Sequence, residues 1–219
     1  MSKRTTIVVA AFVALCCAAG GGLIVVKLFA GGSTTDVHVS ASRIEYSSVA
    51  RAVGAAQVVV VGTFLDERTE TVREPSPVDP THASTRVDVI RRFGDLRALK
   101  GAVPANTIEV RSTSSNHIED MGGKFTDIAW DPLTLRPGQR YLLMLHSAAD
   151  PALGAIWGVV GEPGTAEVGA TNTLSFITSR EYQADMRAKG QALGPTGAPS
   201  AFDVTLDVVI AAAGPASTP

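Results

Sequence analysis

The sequence predicts a mainly β domain with five or six antiparallel strands and short flanking helices, preceded by one transmembrane helix. Three observations carry this prediction. Ile7–Val26 contains no charged residue, and twenty apolar residues are about what a helix needs to cross a hydrocarbon core of roughly 30 Å. Val58–Val61 are four consecutive β-branched residues, which suit a strand better than a helix. Several later segments alternate polar and apolar residues and are joined by loops, which favours a small antiparallel barrel or sandwich.

The flanks of the apolar segment predict its orientation. Lys3 and Arg4 precede it, and basic residues at this position hold the N-terminus in the cytoplasm. A cleaved signal peptide, with secretion of the domain, is the alternative. However, a signal peptide has a shorter apolar region of about 7–15 residues, and Leu28–Ala30 is a poor cleavage site. We therefore expect a single-pass membrane protein with residues 5–30 in the bilayer and the C-terminal domain extracytoplasmic.

The small residues of this segment are consistent with a membrane helix. Cys16 and Cys17 are the only cysteines of the chain. A lipoprotein motif has a small residue before its cysteine, whereas Leu15 and Cys16 stand there in this chain. We therefore expect both cysteines to be buried as apolar residues. The rest of the chain consequently has no disulfide, cysteine nucleophile or cysteine-based zinc site. A stripe at spacing four supports a hypothesis of self-association through close helix packing; it comprises Ala10, Ala14, Ala18 and Gly22.

Charge and composition exclude some classes of partner. Without Lys3, Arg4 and Lys27, sixteen basic and 21 acidic residues remain, so the rest of the chain carries a net charge of about −5. A mildly acidic surface argues against binding to nucleic acid or to an anionic membrane. Aromatic residues make up 5% of the chain, too few for an extensive stacking platform.

The first elements after the membrane segment follow from local composition. Residues 31–45 are small and polar and predict a linker to a domain that spans residues 46–192. A short helix is expected after residue 46, with Ser47 or Ser48 as its N-cap and Gly54 as its end. The valine strand follows, and Gly62 within it predicts a bend. Asp66–Ser84 is charged and proline-containing, which predicts a long, mobile hairpin loop.

Alternation and turn residues predict the remaining elements. Thr85–Arg91 and Thr107–Arg111 alternate polar and apolar residues as half-buried strands do, whereas Ser112–Asp131 is polar and irregular. The later segments are a turn at Pro137–Gly138, strands over Tyr141–Leu145, Ile156–Val160 and Thr173–Ile177, and helices over Ser179–Lys189 and Leu206–Ala213. Residues 193–219 are expected to form a short strand, a helix and a flexible tail.

Three segments carry a resemblance to a known architecture: Ala56–Thr63, Leu99–Gly101 and Leu135–Leu143. Their order and spacing resemble uncharacterised bacterial exported domains with an OB-fold, similar to the barrels of tissue inhibitors of metalloproteinases and netrin modules. The resemblance covers roughly Val49–Ile177 and implies an OB-like barrel. It consists of core and turn residues and implies no site. Those inhibitors act through an N-terminal cysteine wedge, which this chain lacks.

No segment matches a motif for metal, cofactor or catalysis. His117, Glu119 and Asp120 are close in sequence, but no second histidine stands at ligand spacing, so a solvated loop is the better interpretation. Gly122–Phe125 does not complete a phosphate-binding loop, because the first glycine of that motif would fall on Ile118. Nucleophile-elbow, zinc-protease and dinucleotide motifs are not found either. We therefore expect no cofactor, no metal and no recognisable catalytic residue.

Charged residues on two alternating strands suggest a ligand face. OB barrels bind ligands on such an outward face, although cross-strand charge pairing explains the same pattern. The residues of this predicted face are Arg86, Asp88, Glu109, Arg111 and Trp130. Trp157 is expected to be a buried anchor.

These observations predict a membrane-anchored extracytoplasmic module that binds a ligand or another envelope protein. Two alternatives stay open from sequence. One is an envelope-associated hydrolase with a site dispersed along the chain, and the other is a structural scaffold protein of the cell envelope. A functional site is a matter of geometry, which the fold class does not supply.

Overall fold

The computed structural model describes residues 24–26, 39–41, 46, 48–75, 81, 83–103, 106–119, 125–129, 133–150 and 153–214. At the start, β1 (Ile24–Val26) pairs antiparallel with β2 (Val39–Ala41). The last three residues of the apolar segment are thus extended. The rest of the predicted span, including the small-residue stripe, lies outside the described residues. Within the described part of the chain, no helix is long and apolar enough to cross a bilayer.

The remaining elements form a strand-rich domain with three helices in its described residues. The helices are α1 (Val49–Ala55), α2 (Arg180–Ala188) and α3 (Leu206–Ala213), with a 3-10 turn over Ser200–Phe202. The strands are β3 (Val58–Pro75), β4 (Ala83–Lys100), β5 (Ile108–Glu119), β6 (Phe125–Ala129), β7 (Arg140–Asp150), β8 (Gly154–Val159), β9 (Thr165–Val168) and β10 (Leu174–Phe176). The fold is therefore mainly β, as predicted.

Strands β3 to β10 belong to one mixed sheet of eight strands, so the prediction of five or six antiparallel strands gives too few strands and misses a parallel pair. The order is β10-β9-β7-β3-β4-β5-β6, and β8 pairs with both β5 and β7. A short turn makes β8 antiparallel to β7. On its other edge β8 runs parallel to β5, with Val110 opposite Trp157. This parallel pair joins strands that are distant in sequence, and no local pattern indicates it.

Two stretches predicted as loops are largely strand, and both predictions are wrong for the same reason. Strand β3 continues through the charged stretch to Pro75, and β4 begins at Ala83. Similarly, β5 continues to Glu119 and forms a hairpin with β6, with Ser115 opposite Ala129. Strands built mostly from polar residues carry no apolar period, so periodicity does not identify them. A proline at a strand's last residue also interrupts no ladder.

The chain divides into two compact units. The first contains Thr71–Val87 and Thr113–Trp130 together with the chain up to Ile44, and the second contains Glu45–Glu70, Asp88–Ser112 and Asp131–Pro219. The hydrophobic core described below belongs to the second unit.

Strand β3 is covered on both faces, as its unbroken valine run predicts. Val58 and Val60 belong to an inner apolar cluster, whereas Val59 and Val61 pack in a second cluster with α1 and α3. Strand β7 alternates between the clusters in the same way, and Leu142–Leu145 are fully buried. In the inner cluster, the ring of Tyr141 meets those of Phe64 and Phe93 edge-on, with centroids 6.5 and 6.4 Å away.

Gly62 and Lys100, which lie in the segments that resemble OB-folds, have structural roles. A Cβ on Gly62 would lie 2.8 Å from Leu96 Cδ2 and 3.3 Å from Phe93 Cβ, so glycine here allows β4 to approach closely. Lys100 Nζ donates to the carbonyl oxygens of Val53 at 2.7 Å and Ala56 at 2.6 Å, which caps the end of α1.

Candidate functional site

A buried arginine ties the strands beneath the charged surface together. The Arg91 side chain on β4 is 5% exposed. It donates to Glu67 Oε2 at 3.1 Å, to Ser112 Oγ at 2.6 Å and to the carbonyl oxygen of Leu133 at 2.8 Å. Burial lowers the pKa of Arg91, and Glu67 acts in the opposite direction. The guanidinium thus holds β3, β5 and the segment before β7 in place around β4.

Near Arg91, charged side chains of β3, β4 and β5 form exposed ion pairs with one another. Arg68 binds Glu109 through both terminal nitrogens, with Nη2 2.9 Å from Oε2, and its Nε donates to Glu70 at 2.9 Å. The hydrogen bond from Arg68 holds the pKa of Glu109 below its ordinary value. Arg92 pairs with Asp66. Exposed pairs of this kind contribute little to stability, but they leave Glu109 already bound within the protein.

A second charged group lies where β5, β7 and β8 meet. The Asp150 side chain at the end of β7 is 4% exposed and pairs with Arg111 on β5. Asp150 Oδ1 also accepts the backbone N–H of Leu153 at 3.1 Å, which closes the β7–β8 turn. The guanidinium of Arg111 is thereby anchored at one nitrogen while 22% of its side chain remains exposed.

A histidine completes this group. His146 on β7 pairs with Gly158 on β8, which pairs in turn with Arg111, so the three residues form one row across three strands. A Cβ on Gly158 would lie 3.0 Å from His146 Cε1 and 3.1 Å from Nε2, so the imidazole lies directly on the glycine. We call Arg111, His146, Asp150 and Gly158 the Arg-His cluster.

The environment of His146 favours its neutral form. Burial lowers the pKa of His146, and the positive charge of Arg111 lowers it further. The side chain is half-buried, and neither ring nitrogen has a hydrogen-bond partner among the described residues. The Arg-His cluster therefore presents an unsatisfied imidazole beside an anchored guanidinium.

The structure places the residues of the predicted ligand face in different surroundings. Glu109 and Arg111 both lie on β5 but belong to separate ion-pair groups. Arg86 is half-buried and donates to Glu74 Oε1 at 3.1 Å. Asp88, expected on the outward face, is fully buried in a part of β4 whose next three residues are buried as well. Trp130 lies outside the described residues.

Sequence reasoning identified Arg111 and missed its partners. His146 and Asp150 follow an apolar strand, where a single histidine or aspartate gives no functional signal, and their distance from Arg111 in sequence hides the contact. A glycine within a strand indicates close approach of another group, so Gly158 was the sequence feature that could have indicated the contact with His146. Trp157 is half-buried and packs against the inner cluster, as an anchor should.

The described part of the chain offers two further observations on sites. It holds no group of three or more metal-ligating side chains; the side chains of His117, Glu119 and Asp120 lie outside the description. An open polar groove of about 420 Å³ lies at the end of α2 and includes Gln183, Arg187 and Thr196. Arg187 is the one charged residue among its lining residues.

No protein family model, curated protein or solved structure matches this chain. Function must therefore be inferred from the geometry of the described residues.

Proposed function

We propose that the chain is a single-pass membrane protein whose extracytoplasmic, OB-like domain binds a partner in the cell envelope through the Arg-His cluster. The OB-like barrel, the membrane location and the binding surface each rest on separate observations.

The strand pairings support an OB-like barrel. Strands β3, β4, β5, β8 and β7 pair in that order, and β7 pairs again with β3. This cyclic order, with a parallel pair between the third and fifth strands, is that of a five-stranded Greek-key barrel. All five strands also contribute to the inner cluster, through Val58, Phe93, Ile108, Leu143 and Trp157. In this proposal β6, β9 and β10 are additions to the barrel.

The location follows from the uncharged N-terminal segment and the basic residues before it. A topology experiment tests it directly, because Cys16 and Cys17 are the only cysteines and can be replaced by alanine. In that background we expect Ser147→Cys to react with a membrane-impermeant maleimide on intact cells. Ser2→Cys should react only after permeabilisation. Labelling of both positions only after permeabilisation would contradict the proposal, and recovery of the domain in the medium would favour secretion.

The observation that carries the binding proposal is the row of His146, Gly158 and Arg111. The guanidinium of Arg111 in this row is held by the buried carboxylate of Asp150, and a preorganised site loses less entropy on binding. OB barrels use the loop between their fourth and fifth strands for ligands, and here Asp150 closes the corresponding β7–β8 turn. Because Arg111 and Leu153 occupy Asp150, the cluster favours binding over acid–base hydrolysis.

Site-specific photocrosslinking in native membranes tests the binding surface. Glu109 lies two residues before Arg111 on the same face of β5, and 41% of its side chain is exposed, so a photoreactive residue there should crosslink a partner. The same residue at Val208, which is 47% exposed on α3, is the matched control. His146→Ala should abolish the crosslink from position 109. An identical product at both positions, or a product that persists unchanged in His146→Ala, would refute the assignment of this surface.

A further inference from the structure

We propose that the Arg-His cluster binds an anionic group, such as a phosphate, sulfate or carboxylate, and that His146 takes up a proton when the anion binds. This inference rests on the proposed function and assigns a ligand chemistry to the same site. The groove at α2 is a weaker candidate, because Arg187 is the one charged residue of its lining.

Arg111 and His146 supply the hydrogen-bond donors for an anion. A guanidinium has five N–H groups, and the contact of Arg111 with Asp150 uses Nη1. The remaining donors are held on a side chain whose orientation is already fixed, and a planar guanidinium matches carboxylate and phosphate oxygens. An imidazolium adds donors from both ring nitrogens, and those of His146 have no other partner among the described residues.

The net charge of the Arg-His cluster depends on whether His146 is protonated. Among the described residues, Arg111 from β5 is the charged group that acts on His146; Asp150, four residues further along β7, pairs with Arg111. Strand β8 has no charged residue, and Gln57, next to β3, presents a neutral amide to Ser147 N at 2.7 Å. Because Asp150 balances Arg111, the cluster with neutral His146 carries no net charge. Protonation of His146 gives the single positive charge that complements an anion, whereas a metal cation would be repelled by Arg111.

Linkage fixes the direction of the pH effect. A bound anion stabilises the imidazolium and therefore raises the pKa of His146. Affinity must consequently rise as pH falls, by up to about tenfold per pH unit between the pKa of the free site and that of the occupied site. A ligand held by Arg111 alone would show no such dependence.

Histidine NMR on the full-length chain in nanodiscs tests the inference. The chain has four histidines, and His146→Gln identifies the signal of His146. With zwitterionic lipids, free sulfate is the probe because its charge is constant between about pH 5 and pH 8. We expect sulfate to raise the pKa of His146 and to bind at least about tenfold more weakly to Arg111→Lys, which cannot reproduce the planar contact.

Controls separate the outcomes. Arg92→Gln, which alters an exposed pair elsewhere on β4, should bind sulfate as the native chain does. Nanodiscs with anionic lipid and no free anion test a headgroup source, and a raised pKa of His146 there would assign the anion to the lipid. The inference is overturned if neither anion moves that pKa, or if His146→Gln binds sulfate with an unchanged pH dependence. A crosslink from position 109 that persists beside such a result would reject the anion and retain the binding module.

Discussion

At the residue scale, one glycine determines how His146 is placed. Gly158 leaves room for the His146 ring, while burial and then the charge of Arg111 on β5 bias its protonation. The charged residues of β5 were predicted as candidates from sequence, and the structure places Arg111 in the Arg-His cluster. Sequence analysis missed the partners of Arg111, because only the register of three strands brings His146 and Arg111 into one row.

Gly158→Ala tests the role of this space. The new Cβ would require the half-buried imidazole to shift by a few tenths of an ångström, so we expect a less buried ring, a pKa of His146 closer to its ordinary value, and a loss of stability of at most about 1 kcal/mol. Histidine NMR and urea unfolding measure the two effects. Gly54→Ala in α1 is the control, because nothing lies within 4 Å of its Cβ position; it should leave His146 unchanged. An unaltered His146 titration in Gly158→Ala would show that the ring does not depend on this glycine.

The titration of His146 also predicts how stability depends on pH. Because the pKa is lowered in the folded state, the unfolded chain takes up the proton first as pH falls. His146 therefore supports stability above about pH 6.5, and this support is lost on acidification through the folded-state pKa. His146→Gln should accordingly lose less stability than the native chain between about pH 7 and pH 5 in urea unfolding. Equal slopes for the two proteins would contradict the lowered pKa.

Substitutions of Arg91 and Arg92 compare a buried arginine with its exposed neighbour. Arg91→Met leaves Ser112 Oγ and the Leu133 carbonyl without their donor, whereas Glu67 is 51% exposed and can be solvated, so we expect a loss of about 1–3 kcal/mol in urea unfolding. Arg92→Met removes an exposed pair and should cost about 0–1 kcal/mol. Similar losses for both variants would mean that burial of Arg91 is not what holds these strands.

At the element scale, sequence patterns predicted buried elements well and solvated ones poorly. The valine strand, the helix starting after Ser48 and the helix ending near Lys189 agree with the structure, because burial imposes an apolar period and capping has local rules. The outer halves of β3 and β5 were predicted as loops. Their pairing comes from backbone hydrogen bonds to neighbouring strands, which leave little trace in polar side chains.

Lys100 shows how a short sequence segment can secure an element. Its ammonium caps α1 through several carbonyl oxygens, so Lys100→Met should destabilise the domain by about 1–3 kcal/mol and increase amide exchange in α1. The control is Lys189→Met, which removes an exposed i,i+4 pair with Asp185 and should cost about 0.3–0.5 kcal/mol. Unchanged exchange in α1 for Lys100→Met would rule out the cap.

At the scale of the whole molecule, the mainly β class was predictable and the pairing order was not. Alternation indicates that a strand has a buried face, but it does not say which strand lies beside it. The contact of Val110 with Trp157 joins segments from two different hairpins, and the parallel direction follows from the path of the chain between them.

A truncation tests whether the first four strands of the cyclic pairing fold without the rest. A chain that ends after Asp150 lacks β8, β9, β10, α2 and α3 and leaves edges of β5 and β7 without their partners, so we expect it to lose cooperative unfolding in urea. A chain that ends after Gly214 keeps every described residue and should unfold cooperatively. Cooperative unfolding of the shorter chain would show that the first four strands of the cyclic pairing are sufficient.

The pairing of the valine strand also has a consequence for how the protein is made. Val58 pairs with Leu145, so during synthesis from the N-terminus one edge of the strand must wait for residues that emerge much later. Until then, a β-branched apolar edge is open to pairing with other chains, which favours aggregation. The late synthesis of β7 therefore leaves the valine strand most vulnerable to aggregation before the chain is complete.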